Sequence, residues 1–177
     1  DAVTNLALQS EDFSTSWTST NYTVSTGFTS PADNATANKI VRDATNTSSS
    51  ALAQNVSVDS STAYTYSVFA KAGEFSKIAI REGVSIGAYL SVNLSSGASI
   101  DSSLISSSSI TPLPNGWYRI SFTLTTTASQ TSFGCRIYAL PDSYTSGSPI
   151  FSWAGDGTSG LYVWGAQLEE SSTAGEY

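Results

Sequence analysis

The amino-acid sequence predicts an all-β fold, a two-sheet antiparallel β-sandwich, on three observations. Short segments in which apolar and polar side chains alternate recur along the whole chain, and period two marks half-buried strands. Clusters of Gly, Pro, Asn and Asp separate those segments at turn-like intervals. No stretch carries apolar residues at the three- and four-residue spacing of an amphipathic helix.

Taken in order, residues 5–13 hold Leu6 and Leu8 in alternation and predict a first strand, followed by a loop that reaches Trp17. Residues 22–28 alternate weakly, Pro31 to Asn34 signals a turn, and residues 37–41 (ANKIV) predict a strand. Residues 46–50 read as a polar loop. Residues 51–58 set Leu52, Gln54, Val56 and Val58 on one face. Residues 63–72 (AYTYSVFAKA) combine aromatic rings with Val, which suits a pleated surface. After the Gly73–Glu74 turn, residues 76–81 send Ile78 and Ile80 one way and Lys77, Ala79 and Arg81 the other. Residues 88–94 place Leu90, Val92 and Leu94 inward and Tyr89, Ser91 and Asn93 outward.

The Ser- and Gly-rich run 95–109 is open to two readings, an excursion at the edge of the sandwich or a disordered loop. Pro112, Pro114, Asn115 and Gly116 then break the chain before residues 117–125 (WYRISFTLT), where period two is clearest. Tyr118, Ile120, Phe122 and Leu124 share one face, and Trp117, Arg119, Ser121 and Thr123 share the other. Residues 133–140 oppose Cys135, Ile137 and Ala139 to Gly134, Arg136 and Tyr138. The last stretch, residues 150–170, turns through Gly155, Asp156 and Gly157 and enters Leu161 to Trp164, apolar on both faces. A strand covered on both sides belongs in the middle of a sheet, with Gly165 thinning it where something packs close.

Composition bounds the function. At 177 residues the chain suits one domain, with an ordered core expected over about residues 5–170, and it carries enough apolar side chains for a core without staples. The first residue is Asp1 and the chain has no Met, which reads as a piece excised from a longer protein and hence covalently linked to neighbouring domains. A net charge of −7, from 7 Lys and Arg against 14 Asp and Glu, argues against nucleic acid, which demands a basic face. No apolar run approaches the length that spans a bilayer, so no membrane partner is expected. One Cys and no His exclude an internal disulfide framework, a Cys2His2 zinc site and any Ser/His/Asp or Cys/His catalytic device.

Four segments carry a resemblance: NLALQSEDFSTSW at the start, YSVFAKAG in the middle, PNGWYRISFT later and GDGTSGLYVWGAQLEESSTAGEY at the end. Together they resemble the domain that recurs in phage head-spike and tail-fibre proteins. That domain is similar in turn to the jelly-roll carbohydrate-binding modules of polysaccharide-degrading enzymes. The resemblance implies a β-jelly-roll that holds glycans, has no catalytic residues, and works outside the cell, secreted or on a virion surface. Trp17, Trp117, Tyr118, Arg119, Trp164 and Gln167 are the matching positions expected to build the fold. Such modules often share a structural calcium between first and last strands. Here Glu11 and Glu169 stand at comparable ends, while Gln167 stands where those modules carry Asp. No other cofactor is implied.

Sugars present apolar C–H faces and hydroxyl edges, so a glycan site combines aromatic platforms with polar groups. The outward strand positions supply Tyr89, Trp117 and Tyr138 as platforms, with Lys77, Arg81, Asn93, Arg119 and Arg136 as polar partners. With Lys71, these cations are five of the seven in the chain, and Arg matches the planar oxygens of carboxylate or sulfate. If the strands adjoin, they form a positive trough for an acidic polysaccharide such as alginate, pectate or a sulfated galactan. The competing reading makes the rings packing residues under a loop and the cations ordinary surface ion pairs. Tyr144 and Trp153 are the next ring candidates, whereas Trp164 reads as core. Two other functions stand as rivals: an assembly domain of a phage fibre that binds protein neighbours, and a lyase or hydrolase. A glycosidase requires two placed carboxylates. Glu11, Asp12, Asp156 and Glu169 fall in turns and ends without such spacing.

Overall fold

The computed structural model describes residues 4–45 and 48–177. Twelve strands run in chain order: β1 (Thr18–Thr20), β2 (Tyr22–Phe28), β3 (Ala37–Arg42), β4 (Ala51–Ser57), β5 (Ala63–Lys71), β6 (Lys77–Glu82), β7 (Tyr89–Asn93), β8 (Ala98–Ser103), β9 (Ser107–Pro112), β10 (Trp117–Thr125), β11 (Ser132–Leu140) and β12 (Gly160–Glu169). A single 3-10 turn, Pro114–Gly116, precedes β10. The strands form two six-stranded antiparallel sheets. The front sheet has the order β1-β4-β11-β6-β7-β8 and the back sheet β2-β3-β12-β5-β10-β9. This is the two-sheet antiparallel sandwich that the alternation predicts.

The core lies between the sheets, and strand parity builds it. Ile78, Ile80, Leu90, Val92, Phe133, Cys135 and Ile137 face inward from the front sheet. Tyr64, Tyr66, Val68, Ile120, Phe122, Leu161 and Val163 meet them from the back. Tyr66, Phe122 and Phe133 cluster at the centre, with Tyr66 edge-on to both neighbours at 5.9 and 6.0 Å. Aromatic pairs in such edge-to-face geometry add about 1 kcal/mol beyond area burial.

β12 occupies the middle of the back sheet, between β3 and β5. Both of its faces are covered, as its double apolarity requires: Leu161 and Val163 point into the core, and Trp164 is 5% exposed on the other side. Trp164 is therefore buried outside the sandwich rather than within it, its indole N–H donating to Thr36 Oγ1 at 2.8 Å and its ring 4.5 Å from that of Tyr177. The register slips between Trp164 and Gln167. Gly165 makes this bulge at φ 61°, where an added Cβ would lie 2.8 Å from the Phe69 ring. Only glycine meets both conditions without strain.

One expectation needs correction, and one open reading is settled. Residues 5–13 form no strand; Leu6 N–H donates to Leu168 O at 2.8 Å and Gln54 brackets Leu8, but Leu8 itself is 65% exposed. Alternation of Leu6 and Leu8 there reflects one buried end and one free side chain, not a ladder. Of the two readings of the Ser-rich run, the excursion at the sandwich edge holds and the disordered loop does not: the run forms β8 and β9, the edge strands of the two sheets. Short hydroxyl side chains satisfy an edge that has no second neighbour to pack against. Of the expected 46–50 loop, residues 46 and 47 lie outside the described residues.

Candidate functional site

The outer face of the front sheet is built by the odd-even rule that builds the core. On β6, Lys77, Ala79 and Arg81 point away from Ile78 and Ile80. On β11, Arg136 and Tyr138 point away from Cys135 and Ile137. On β7, Tyr89, Ser91 and Asn93 point away from Leu90 and Val92. Thr18, Ala53, Arg136, Arg81, Tyr89 and Ser103 are successive register partners and form one row across all six strands. At the usual strand spacing of about 4.8 Å, that row is roughly 24 Å long.

Two walls flank the row. On one side, residues 141–153 fold back over the neighbouring row. Tyr144 is 1% exposed, its hydroxyl 2.9 Å from Ser91 Oγ and donating to Gly147 O at 2.6 Å. Gly147 N–H donates to Asp101 Oδ2 at 2.6 Å, and the Phe151 ring lies 4.7 Å from that of Tyr138. On the other side stands the turn 83–87, fixed by Glu82. This carboxylate is fully buried and accepts backbone N–H groups from Val84, Ser85, Ile86, Gly87 and Gly134 at 2.6 to 3.2 Å. Burial alone would raise its pKa, but the five amides more than offset that and hold it below the ordinary Glu value.

The floor carries paired guanidinium groups. Arg81 and Arg136 are register partners on adjacent strands. Arg81 Cζ lies 4.9 Å from the Phe151 ring centroid, and its Nε reaches Gly87 O at 3.5 Å. Arg136 lies along a bed made by two glycines; a Cβ at Gly83 would come within 2.6 Å of Arg136 Cγ. Its fork donates to Gln54 O at 3.3 Å, Cys135 O at 3.2 Å and Asn55 Oδ1 at 2.8 Å. All of these acceptors are neutral. Among the described residues neither guanidinium has a carboxylate within ion-pair distance. A groove of about 490 Å³, lined by Leu8, Thr18, Ala53, Asn55 and Arg136, continues the floor to the β1 edge.

Tyr89 and Tyr138 are 8% and 4% exposed, so only their rims reach the trough. Burial raises both phenol pKa values, with Asp101 adding to the rise at Tyr89 and Arg81 opposing it at Tyr138. Both hydroxyls are therefore donors at neutral pH. Lys77 and Asn93 share the face but sit beyond the loop. Lys77 Nζ donates to Asp142 O at 2.5 Å and Tyr144 O at 2.7 Å, and Asn93 Oδ1 accepts Ser95 N–H at 2.9 Å.

Trp117 and Arg119 do not join this group. β10 pairs with β5 and β9, so both residues stand on the outer face of the back sheet, across the core from Arg81 and Arg136. Their outward parity was legible, but parity does not say in which sheet a strand lies. Trp117 is 2% exposed. Arg119 is held by the chain itself, donating to Gly175 O at 2.6 Å, Ser67 Oγ at 3.3 Å and Gln167 Oε1. Trp153, the other loop ring, packs within 5.7 Å of the buried Arg42 guanidinium.

Phe151 and Glu82 were missed as site-building residues. Glu82 had a readable signal, an inward-parity acid at the head of a Gly-Val-Ser-Ile-Gly turn. Phe151 had none. The side chains at the calcium position that the resemblance implies have partners within the chain. Glu11 Oε1 accepts the Tyr177 hydroxyl at 3.2 Å, Glu169 Oε2 accepts Gly175 N–H at 3.0 Å, and Gln167 turns its oxygen to Arg119. Among the described residues no three His, Cys, Asp or Glu side chains are grouped to hold a metal ion. These residues do not fit calcium there.

No protein-family model matches the chain, and no curated protein matches it in sequence. Solved structures do match its fold. The enzymatically active domain of bacteriophage CBA120 tailspike protein 4 superposes with a TM-score of 0.55 at 14% identity, over 93% of this chain and 21% of that one. The chain thus spans about a fifth of the tailspike domain it matches. A structure described as "CBM4 structure and function" gives 0.48 at 14% identity, over 88% of this chain and 78% of that one. The Clostridium thermocellum xylanase 10B CBM22-1-GH10 modules, complexed with xylohexaose, give 0.48 at 9% identity, over 99% of this chain and 29% of that one. At 14% identity the likeness to the tailspike domain shows the fold alone.

Proposed function

We propose that this chain is a non-catalytic glycan-binding domain that holds an acidic polysaccharide across the outer face of its front sheet. The observation that carries the reading is the Arg81–Arg136 pair: two guanidinium groups on adjacent strands, without a carboxylate partner among the described residues, beside an aromatic wall. Like charges directly opposite in a sheet destabilise it. An anionic ligand offsets that cost and takes the planar fork geometry of arginine. Arg81 and Arg136 bind the carboxylate or sulfate groups, Phe151 packs on sugar C–H faces, and the rims of Tyr89 and Tyr138 contribute hydroxyl donors. Lys77 and Asn93 mark the far end of the face. The domain would attach a larger enzyme or phage fibre to its polysaccharide, outside the cell or on the virion surface.

Asp12 and Asp156, two of the carboxylates a glycosidase would have to recruit, are shifted away from general-acid chemistry. Hydrogen bonds hold Asp12 and Asp156 below the ordinary Asp value, from Ser14 and Ser159 respectively, and Glu74 is lowered to about 2 by Lys39. A general acid for glycoside cleavage requires the opposite shift. The assembly-domain reading calls for a continuous exposed apolar patch. Among the described residues Leu8, Val84, Leu104, Ile150 and Tyr177 are the large exposed hydrophobic side chains from which such a patch would have to be built.

Affinity electrophoresis in gels of pectate, alginate, a sulfated galactan and neutral glucans tests the proposal. Retardation is expected in at least one acidic gel and in no neutral one, relieved by salt and by the R81A/R136A double substitution. Equal mobility in every gel would sink it.

A further inference from the structure

The back sheet carries a second ring-lined face that the front trough does not use. Trp117, Lys71 and Tyr162 are register partners on β10, β5 and β12, so the two rings stand two strands apart with a lysine between them. Two strand spacings amount to roughly 10 Å. Phe28 closes the far side, edge-on to Tyr162 at 5.1 Å. Together with Ala72 and Gly73 these residues line a groove of about 380 Å³, within the range of small-molecule sites.

Lys71 is the informative residue. It is half-buried, yet among the described residues it has no hydrogen-bond or ion-pair partner. Its neighbour across the sheet differs: Lys39 pairs with Glu74 at 2.9 Å and lies 5.9 Å from the Tyr162 ring. A half-buried lysine rests its stem on the groove and keeps its ammonium open to an anionic group that enters from solvent. The adjoining cleft on the same face shows what such rings accept. There Phe69 and Trp164 hold the ring of Tyr177 at 5.6 and 4.5 Å. The groove at Lys71 has no such ring from the chain itself.

We infer that the Phe28–Tyr162–Lys71–Trp117 groove is a second, independent binding site for a short acidic saccharide, one or two sugar units with a carboxylate on Lys71 and C–H faces against Tyr162 and Phe28. It lies on the opposite sheet from Arg81 and Arg136, so the domain is bivalent and can bridge two glycan chains or two parts of one.

Calorimetric titration of the full chain with a galacturonate disaccharide, and with its neutral galactose counterpart, tests the inference. The expected result is that R81A/R136A still binds the acidic disaccharide at a stoichiometry near one, and that K71A added to it weakens binding by about tenfold or more. Y162A is expected to act in the same direction; K71A, on a half-exposed side chain, keeps the test valid if Y162A unfolds. Backbone amide shifts at Gly73 and Gly116, moving on titration, would support the location. Complete loss of binding in R81A/R136A overturns the second site, as does K71A binding like its parent, and equal binding of the neutral disaccharide overturns the acidic class. Should R81A/R136A match the unsubstituted protein while K71A abolishes binding, the front trough fails and the back groove stands.

Discussion

The two outer faces start from the same ingredients, rings and cations at outward strand positions, and dispose of them differently. On the back face the chain itself meets Arg119, which is held by Gly175 O, Ser67 and Gln167, beneath the segment 171–177. That segment is fixed further by Thr65 Oγ1 donating to Ser171 O at 2.9 Å and Gln167 Nε2 donating to Glu176 O at 3.2 Å. On the front face Arg81 and Arg136 are placed by neutral carbonyls and an amide, and their charge is left without an acid. Arg119, like Arg136, donates to three neutral acceptors, and its Nε has none; what sets it apart is the C-terminal segment bonded over it and the charge of Glu169 nearby. Outward parity alone does not separate these cases.

Substitutions can break this contrast, and the largest effect is expected at Glu82. E82Q replaces an acceptor of five backbone N–H groups with an amide that presents donors to some of them. Orphaning buried donors costs about 1 to 3 kcal/mol each, so a fall of roughly 3 kcal/mol is expected, or about 6–12 °C in melting temperature for a domain of this size. Thermal unfolding measures it, and an unchanged midpoint would show that the turn stands without its carboxylate. Acid titration of stability sharpens the same point. Because the folded pKa of Glu82 lies below the unfolded value, its contribution is present above the ordinary Glu range and is lost as pH falls through the folded value. Glu74, lowered to about 2, acts in the same direction. E82Q should therefore flatten the acid limb of the stability curve.

R119A comes next. It leaves Gly175 O and Gln167 without their donor, and a loss of about 2 kcal/mol is expected with no change in retardation by acidic gels. R81A/R136A should shift the balance the other way. It relieves a like-charge pair but removes the donors to Gly87 O, Gln54 O and Asn55 Oδ1, so a smaller loss of about 1 kcal/mol is expected, while polysaccharide retardation falls to what the back groove supports. If R119A abolishes binding and R81A/R136A does not, the two faces have been assigned the wrong way round. The smallest effect is expected from calcium: adding it, or chelating it, should leave the melting temperature unchanged, since Glu11, Glu169 and Gln167 already have partners.

Much of the fold was legible because period two is a local property. Residues 117–125 announce β10 with Ile120 and Phe122 inward, and the double apolarity of Leu161 to Trp164 announces a central strand. Residues 5–13 misled because two alternating leucines are too few to separate a strand from an extended segment pinned at Leu6. The outward set was legible as well, down to Tyr89, Arg81 and Arg136. What the sequence could not carry is pairing between strands distant along the chain. Arg119 and Arg136 have the same local pattern and end on opposite sheets because β10 lies beside β5 while β11 lies between β4 and β6. Phe151 reaches the trough only through a fold-back of residues 141–153, a tertiary event with no local signature.

The position of β12 has a consequence for how the molecule forms. The last strand in the sequence separates β3 from β5, so the β2–β3 hairpin has no neighbour in its sheet until residues 160–169 arrive. The same strand ties down the start of the chain, since Asn5 Nδ2 donates to Ala166 O at 3.0 Å and Leu168 N–H donates to Asn5 Oδ1 at 3.1 Å. Contacts of such separation slow folding. On the ribosome the back layer stays incomplete until nearly the whole domain has emerged, and the unpaired borders of β3 and β5 are the surfaces a chaperone would have to shield in the interval.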